Sequence, residues 1–373
     1  MRIVYVLTSL GMGGAEKQVV ALATRMAERG HTVALLSLMP RKAEEWPTVF
    51  EVLYLNIRKT PWSAGAGLMR ARGFLREFRP DIVHSHSFHA NMLARLLALL
   101  VPRTVVVSTI HNVYEGGTLR MLAYRLTDRL SRRTVAVSQA AADRFTRVGA
   151  VPRGHCAVIL NGIDIQEFSP DPERRARMRQ ETISKAAFVW LASGRIVAAK
   201  DYPNLLRALA ILGKTRSWAE VWIAGGWTGK EMARLKKLPE FKQTESMIRW
   251  LGLRRDLPDL LDAADGFVSS SAWEGMPLAV GEAMAMRKQI VATDVGGVCE
   301  LVGTDGYLVP PRDPAALAAA MRELMETDAS IKAAKGREAR ERICKHFNMD
   351  SKPGEWEGLY QKAMAGTTSN GGG

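Results

Sequence analysis

A chain of 373 residues with 47% hydrophobic and 24% charged residues fits an ordinary soluble globular protein of two domains, and excludes one too short or too polar to build cores. The net charge is +14 and uneven, with 22 Lys/Arg against 12 Asp/Glu in residues 1–170 and 30 against 26 thereafter. Such an excess calls for an anionic partner, whether nucleic acid, membrane or substrate. Three scattered cysteines, Cys156, Cys299 and Cys344, show no metal or redox spacing and indicate a reducing compartment.

The first predicted element is the strand "RIVYVLTSL". It lacks a signal peptide's long apolar core and cleavage site, so a cytoplasmic location is expected. "GMGGAEKQ" follows at Gly11, between that strand and a helix that Gly30 stops. Glycines before a helix N-terminus suit a phosphate, although a plain tight turn reads the same way. The pattern is not GxGxxG, and no acidic ribose anchor follows, which disfavours a dinucleotide. "LMRARGFLREFRPD" is a basic stretch carrying Arg70, Arg72, Arg76 and Arg79. "PDIVHSH" is a strand, and His84, His86 and His89 lie within six residues. Three such histidines suggest a metal, but alternation puts His84 and His86 on one face at a strand end, where His86 can line an acceptor cleft. "MLARLLALLV" is too short to span a bilayer and carries Arg95.

"TVVVSTI" is a strand that ends on His111, with Asn112 next. In "LRMLAYRLTDRLSRR", Leu119, Leu122, Leu126 and Leu130 recur at helical spacing, and so do Arg125, Arg129 and Arg132. Leucines facing a core under solvated arginines is one reading; a face resting on an anionic membrane is the other. Near "FSPDPERRARMRQ" the alternation breaks and restarts with "AFVWLASGR". Continuous apolar strands separated by helices predict an α/β fold, two doubly wound domains facing each other across a cleft. The domains are expected over 1–170 and 171–350, with a C-terminal helix over 351–365 returning to the first. The tail 366–373, "TTSNGGG" with its preceding glycine, reads as disordered.

In the second half, "SGRIVAAKDYPNLLRA" puts Arg195 and Lys200 after a strand and Pro203 at a helix start. Two cations there suit a diphosphate, or simply face water. "SSSAWEGMPLAVGEAMA" puts Glu274 in a loop and Glu282 about a turn inside the next helix. A carboxylate pair beside a helix start can accept hydroxyls of a ribose and a hexose; solvated or locally paired glutamates are the alternative.

"EGMPLAVGEAMA", with glutamates eight positions apart, resembles the signature of the retaining glycosyltransferases of family 4, which have the GT-B fold. "SGRIVAAKDYPNLLRA" is similar to their diphosphate clamp and "LTSLGMGGAEK" to their glycine loop. "VSTIHN" resembles their histidine-bearing strand end, and "TDVGGVCELV" with "GYLVPPRD" their last units. The likeness spans the chain in order. It implies that Glu282 binds ribose, Glu274 the sugar, Arg195 and Lys200 the diphosphate, and that Gly13 and Gly14 approach it. Gly275, Met276, Pro277 and Leu278 would meet sugar or phosphates, and His111 the donor sugar near the reacting carbon. His86 and Asn112 are acceptor-side candidates. No metal and no cofactor are implied. Two residues depart from the family pattern: Gly281, expected to loosen helix packing, and Cys299, expected to be a small buried hydrophobe.

The reading is a retaining transferase expected to move a hexose or N-acetylhexosamine from a nucleotide-diphosphate sugar, with UDP as the expected carrier, to a lipid-linked or polysaccharide acceptor of the cell surface. A GT-B nucleotide-sugar epimerase and a non-catalytic sugar-nucleotide or membrane-binding module are the rivals. Nucleic acid is disfavoured, since aromatics are not interleaved with the basic runs.

Overall fold

The computed structural model describes residues 1–58, 60–181, 188–213 and 219–365. The expected disordered tail, 366–373, lies outside them. Two compact units are present: Met1–Gly162 with the chain from Met349 onward, and Ile163–Asn348. The division thus falls eight residues before the expected 170.

In the first unit, β1 (Arg2–Leu7), β2 (Thr32–Ser37), β3 (Val52–Tyr54), β4 (Ile82–His86), β5 (Val105–Ile110), β6 (Arg133–Ala136) and β7 (Cys156–Val158) form one sheet. Its order is β3-β2-β1-β4-β5-β6-β7, with every pair parallel. Both faces are covered, which is why the strands read as unbroken apolar runs. Val19, Leu22 and Met26 pack on one face beside Trp356 and Tyr360 of helix Lys352–Ala365. Ala71, Leu75, Ala90 and Leu97 pack on the other. Arg95 is fully buried there, with Asp128, Thr134, Thr127, Ser108 and the Tyr124 carbonyl as its partners. The chain reverses its direction across the sheet between β1 and β4, so the carboxyl ends of these strands flank the natural ligand crevice.

The second unit has β8 (Phe188–Ser193), β9 (Ala219–Ala224), β10 (Ile248–Gly252), β11 (Gly266–Ser269), β12 (Gln289–Thr293) and β13 (Tyr307–Val309). They are parallel in the order β10-β9-β8-β11-β12-β13. Trp190, Leu205, Leu209, Leu317 and Met321 anchor one core. The reversal lies between β8 and β11.

Two expectations change, and one of two open readings falls. Gly281 does not loosen its helix: a Cβ there would meet Ile163 Cδ1 at 2.7 Å, so Ile163 fills the space a larger residue would take. Cys299 is exposed rather than buried, because helix Val298–Val302 turns Val298, Leu301 and Val302 inward instead. Burial of its partly covered thiol, with Asp294 and Glu300 nearby, raises the Cys299 pKa, which keeps the thiol protonated. Finally, helix Thr118–Thr127 buries Met121 and Tyr124, and its leucines face outward, Leu119 being 83% and Leu126 73% exposed. The leucine stripe is therefore not the core face.

Candidate active site

At the reversal of the second sheet, the loop after β8 is laced to the loop after β9. Gly194 N–H donates to Ala224 O at 2.9 Å and Ile196 N–H to Gly226 O at 3.0 Å. A Cβ on Gly225 would sit 2.0 Å from Gly194 O, so only glycine permits this approach. Tyr202 Oη donates to Gly194 O at 2.7 Å. The loop holds Arg195 exposed to solvent and turns Lys200 inward.

Lys200 Nζ lies 2.6 Å from Glu274 Oε1, the two side chains being 23% and 10% exposed. Ser271 Oγ donates to the same oxygen at 2.7 Å. Ser270 Oγ donates to Lys200 O at 2.9 Å, and Thr293 Oγ1, ending β12, donates to Ser271 O at 2.6 Å. The loop after β11 is thus tied to both neighbouring strand ends. Gly275, Met276 and Pro277 lead into helix Leu278–Ala285, where Glu282 is 5% exposed. Sequence reasoning brought Lys200 and Glu274 to one crevice but did not foresee their ion pair, nor Ser271 and Thr293 as its supports. A run of three serines offered no signal for which hydroxyl turns inward.

In the first unit, β1 is followed by Gly13, which precedes helix Gly14–Glu28. The Gly13 carbonyl accepts from Trp46 Nε1 at 3.2 Å. The Glu16 carboxylate folds over Gly13, so a Cβ there would meet it; a negative group already occupies part of the space assigned to phosphate. On β4, His84 has both ring nitrogens 2.7 Å from hydroxyls, those of Tyr360 and Thr109. His86 Nδ1 lies 2.9 Å from His111 Nε2. His89 is exposed on the following helix. The His84 and His86 rings lie beside each other, centroids 4.0 Å apart, without the exposed His89, and among the described residues no group of three His, Cys, Asp or Glu is arranged to hold a metal. Asn112 Oδ1 accepts locally from Tyr114 N–H at 3.2 Å. Burial lowers the pKa of His86 well below the usual value and that of His111 to about 4, so both rings are neutral near pH 7.

Glu115 escaped the sequence reading. Its Oε1 accepts from His111 N–H at 3.0 Å and its Oε2 from Tyr124 Oη at 2.6 Å. Burial pushes its pKa up to about 7 despite those bonds. Such a carboxyl binds a proton in the folded state that the unfolded chain has lost. Its contribution to stability therefore falls as pH rises from the unfolded value of 4.5 to about 7, and is level above that. The melting temperature of Glu115→Gln relative to the parent should accordingly climb between pH 5 and pH 7 and then stop climbing. The neutral histidines are common to both proteins, so the difference isolates Glu115. Parallel melting curves across that range would show that Glu115 titrates normally.

Residues 12–167 match the family described as Glycosyltransferase Family 4, and residues 187–327 match Glycosyl transferases group 1. The D-inositol 3-phosphate glycosyltransferase of Streptomyces avermitilis is 30% identical over 321 residues, covering 80% of this chain and 68% of the relative. The UDP-Gal:alpha-D-GlcNAc-diphosphoundecaprenol alpha-1,3-galactosyltransferase of Escherichia coli is 25% identical, covering 77% and 76%. The crystal structure of Anabaena HepE in complex with UDP and glucose has a TM-score of 0.84 at 22% identity, over 97% of this chain and 100% of that one.

Proposed function

The chain belongs to glycosyltransferase family 4, with the GT-B fold, and on that premise we propose that it transfers a hexose or N-acetylhexosamine from a UDP-sugar to a lipid-linked or polysaccharide acceptor, with retention of configuration. The observation that carries the donor assignment is the Lys200–Glu274 pair at the reversal of the second sheet. A partly buried ammonium there is suited to phosphate oxygens. A diphosphate that draws Lys200 to itself frees the Glu274 carboxylate to accept sugar hydroxyls. Arg195, exposed on the adjoining loop, adds the second cation, and Glu282 accepts the ribose hydroxyls. Gly275, Met276, Pro277 and Leu278 bring the start of the next helix to the same loop.

In the proposed reaction the bond between the anomeric carbon and the diphosphate oxygen breaks, and the acceptor oxygen bonds to that carbon from the same face. The acceptor proton passes to the leaving diphosphate, so no side-chain base is needed. Lys200 and Arg195 stabilise the charge that develops on the leaving group without a metal. Calorimetric titration of UDP in EDTA tests the site: Glu282→Ala and Arg195→Ala should each weaken binding roughly 10- to 150-fold. An α-linked product from an α-linked donor supports retention. Undiminished UDP affinity in both variants would overturn the assignment. Binding that needs added Mg²⁺ or Mn²⁺ would remove metal independence, and release of an epimerised sugar without an acceptor would favour the epimerase.

A second observation favours a membrane-delivered acceptor. Among the described residues no helix is long and apolar enough to cross a membrane. Helix Thr118–Thr127 of the first unit nonetheless exposes Leu119 (83%), Leu122 (47%) and Leu126 (73%). Arg125 on this helix and Arg129 just after it are exposed. Apolar side chains among arginines fit the surface of an anionic bilayer, where each basic residue contributes about 1 kcal/mol. We propose that this surface rests on such a bilayer. The protein should sediment with anionic liposomes at low salt, release at high salt, and lose most of the binding in Leu119→Ser/Leu126→Ser. Equal, negligible sedimentation with neutral and anionic vesicles would leave a soluble acceptor as the better account.

A further inference from the structure

The imidazole of His111 is held at its far end by His86, whose Nδ1 lies 2.9 Å from His111 Nε2. One bond leaves a ring free to swing about it, so the placement of the ring also depends on the backbone that carries it. The ladders of β5 end at Thr109 beside β4 and at Ile110 beside β6, short of His111. A backbone N–H at such a place needs another acceptor. Glu115 provides it: Oε1 accepts from the His111 N–H at 3.0 Å, and residues 111–115 are closed into a ring by a side chain of their own.

Glu115 is itself held at both ends. Its carbonyl accepts from Arg120 Nη1 at 2.9 Å, and its Oε2 accepts from Tyr124 Oη at 2.6 Å. The path continues to the sheet. The Thr109 carbonyl can only accept, so Asn91 turns its amide nitrogen to it, 3.0 Å away. The same nitrogen donates to Tyr124 Oη at 3.0 Å, which leaves the tyrosine's own hydrogen for Glu115. Asn91 Oδ1 accepts from Ser85 Oγ at 2.7 Å. Asn91 and Tyr124 are fully buried and Glu115 is 9% exposed. The ends of β4 and β5 are thus joined through Asn91 and Tyr124 to a carboxylate that receives hydrogens from two sides, and a carboxylate accepts at both oxygens.

We propose that Glu115 is a positioning residue for His111: by accepting the His111 N–H it sets the direction in which the imidazole leaves the end of β5, and so where the ring meets the donor sugar. This rests on the reading of His111 as a sugar-contacting residue of a transferase. Methionine at 115 fills a similar space with no acceptor for the N–H. Glutamine keeps one oxygen for it and turns its amide to Tyr124 Oη.

Amide hydrogen exchange at His111 in the full chain reads the bond, and steady-state transfer from a UDP-sugar reads its effect. Both are measured at about pH 8.5, where Glu115, with its pKa of about 7, is ionised. The His111 amide of the parent should be protected. Glu115→Met should speed its exchange about 10-fold or more and lower kcat about 10- to 100-fold, with UDP affinity within about twofold of the parent. Glu115→Gln should keep the amide protected and kcat within about threefold. A part in folding alone would move the melting temperature and leave the kcat of the folded protein unchanged. The proposal is overturned by a parent whose His111 amide exchanges freely, by a folded Glu115→Met protein that turns over like the parent, or by a Glu115→Gln protein whose amide is freed and whose kcat falls 10-fold or more. The first and third of these decide it even where Glu115→Met does not fold. Should the parent transfer no sugar from any nucleotide donor, the functional reading fails, while the exchange still shows whether Glu115 holds His111.

Discussion

The Lys200→Ala protein should melt about 4–8 °C below its parent and bind UDP roughly 10- to 150-fold more weakly, and the Lys200→Met/Glu274→Gln protein should regain the stability but not the binding. The two losses have different origins. Removing the ammonium leaves Glu274, whose side chain is 10% exposed, with the Ser271 hydroxyl as its partner at that oxygen. Stranding one member of a fully buried pair costs about 3–5 kcal/mol. Lys200 keeps 23% exposure, so water reaches the site and about 2 kcal/mol is the better expectation. The double variant removes both charges while glutamine still accepts from Ser271 and methionine fills the lysine's path. It therefore separates the cost of an unpaired carboxylate from the loss of a cation for the diphosphate. Differential scanning calorimetry and UDP titration on the same samples provide both readings. A double variant that binds UDP like the parent would make Lys200 structural.

That pair also marks how far the sequence carries. The loop-and-helix placement of Glu274 and Glu282 is legible because both flank the turn residues Gly275 and Pro277, and strand boundaries are legible because buried parallel strands leave long apolar runs. What is not legible depends on residues distant in the chain. Thr293 closes on Ser271 from the next strand. Ile163 fills the space beside Gly281 from 118 positions away, so the missing side chain looked like a defect. Glu115 reads as a loop acid until Tyr124 and the His111 backbone are seen to use both its oxygens.

Helix Thr118–Thr127, whose leucines left two readings open, is more instructive. Its spacing announces two stripes, and hydrophobicity alone favours the leucines for the interior. The structure buries neither stripe but Met121 and Tyr124, because Tyr124 brings a hydroxyl that completes the bonds of Glu115 and Asn91. Periodicity identifies an amphipathic helix; it does not identify the solvent on each side.

Gly296→Ala should destabilise the second unit by about 3 kcal/mol, lower its melting temperature by about 6–12 °C and reduce sugar transfer more than any surface change nearby. Gly296 has φ +57°, where an alanine is strained by about 1–2 kcal/mol. Its Cβ would also sit 2.0 Å from Glu274 O and 3.3 Å from Gly275 O. Those are backbone atoms with no rotamer to yield, so the loop itself must move. The motion opposes the bond from Gly297 N–H to Gly275 O, 2.7 Å long, whose loss adds about 1 kcal/mol. Glu274 shifts with its own carbonyl, which draws its carboxylate from Lys200 and Ser271. Gly229→Ala is the control: it lies in the same unit with nothing near its Cβ and no positive φ, and should melt within about 2 °C of the parent. Thermal melts of the three proteins, followed by turnover with a UDP-sugar below the lowest midpoint, make the comparison. A Gly296→Ala protein that melts with the parent and transfers sugar as fast would mean that the Glu274 loop has slack, and that its carboxylate does not depend on the close packing of these two backbones.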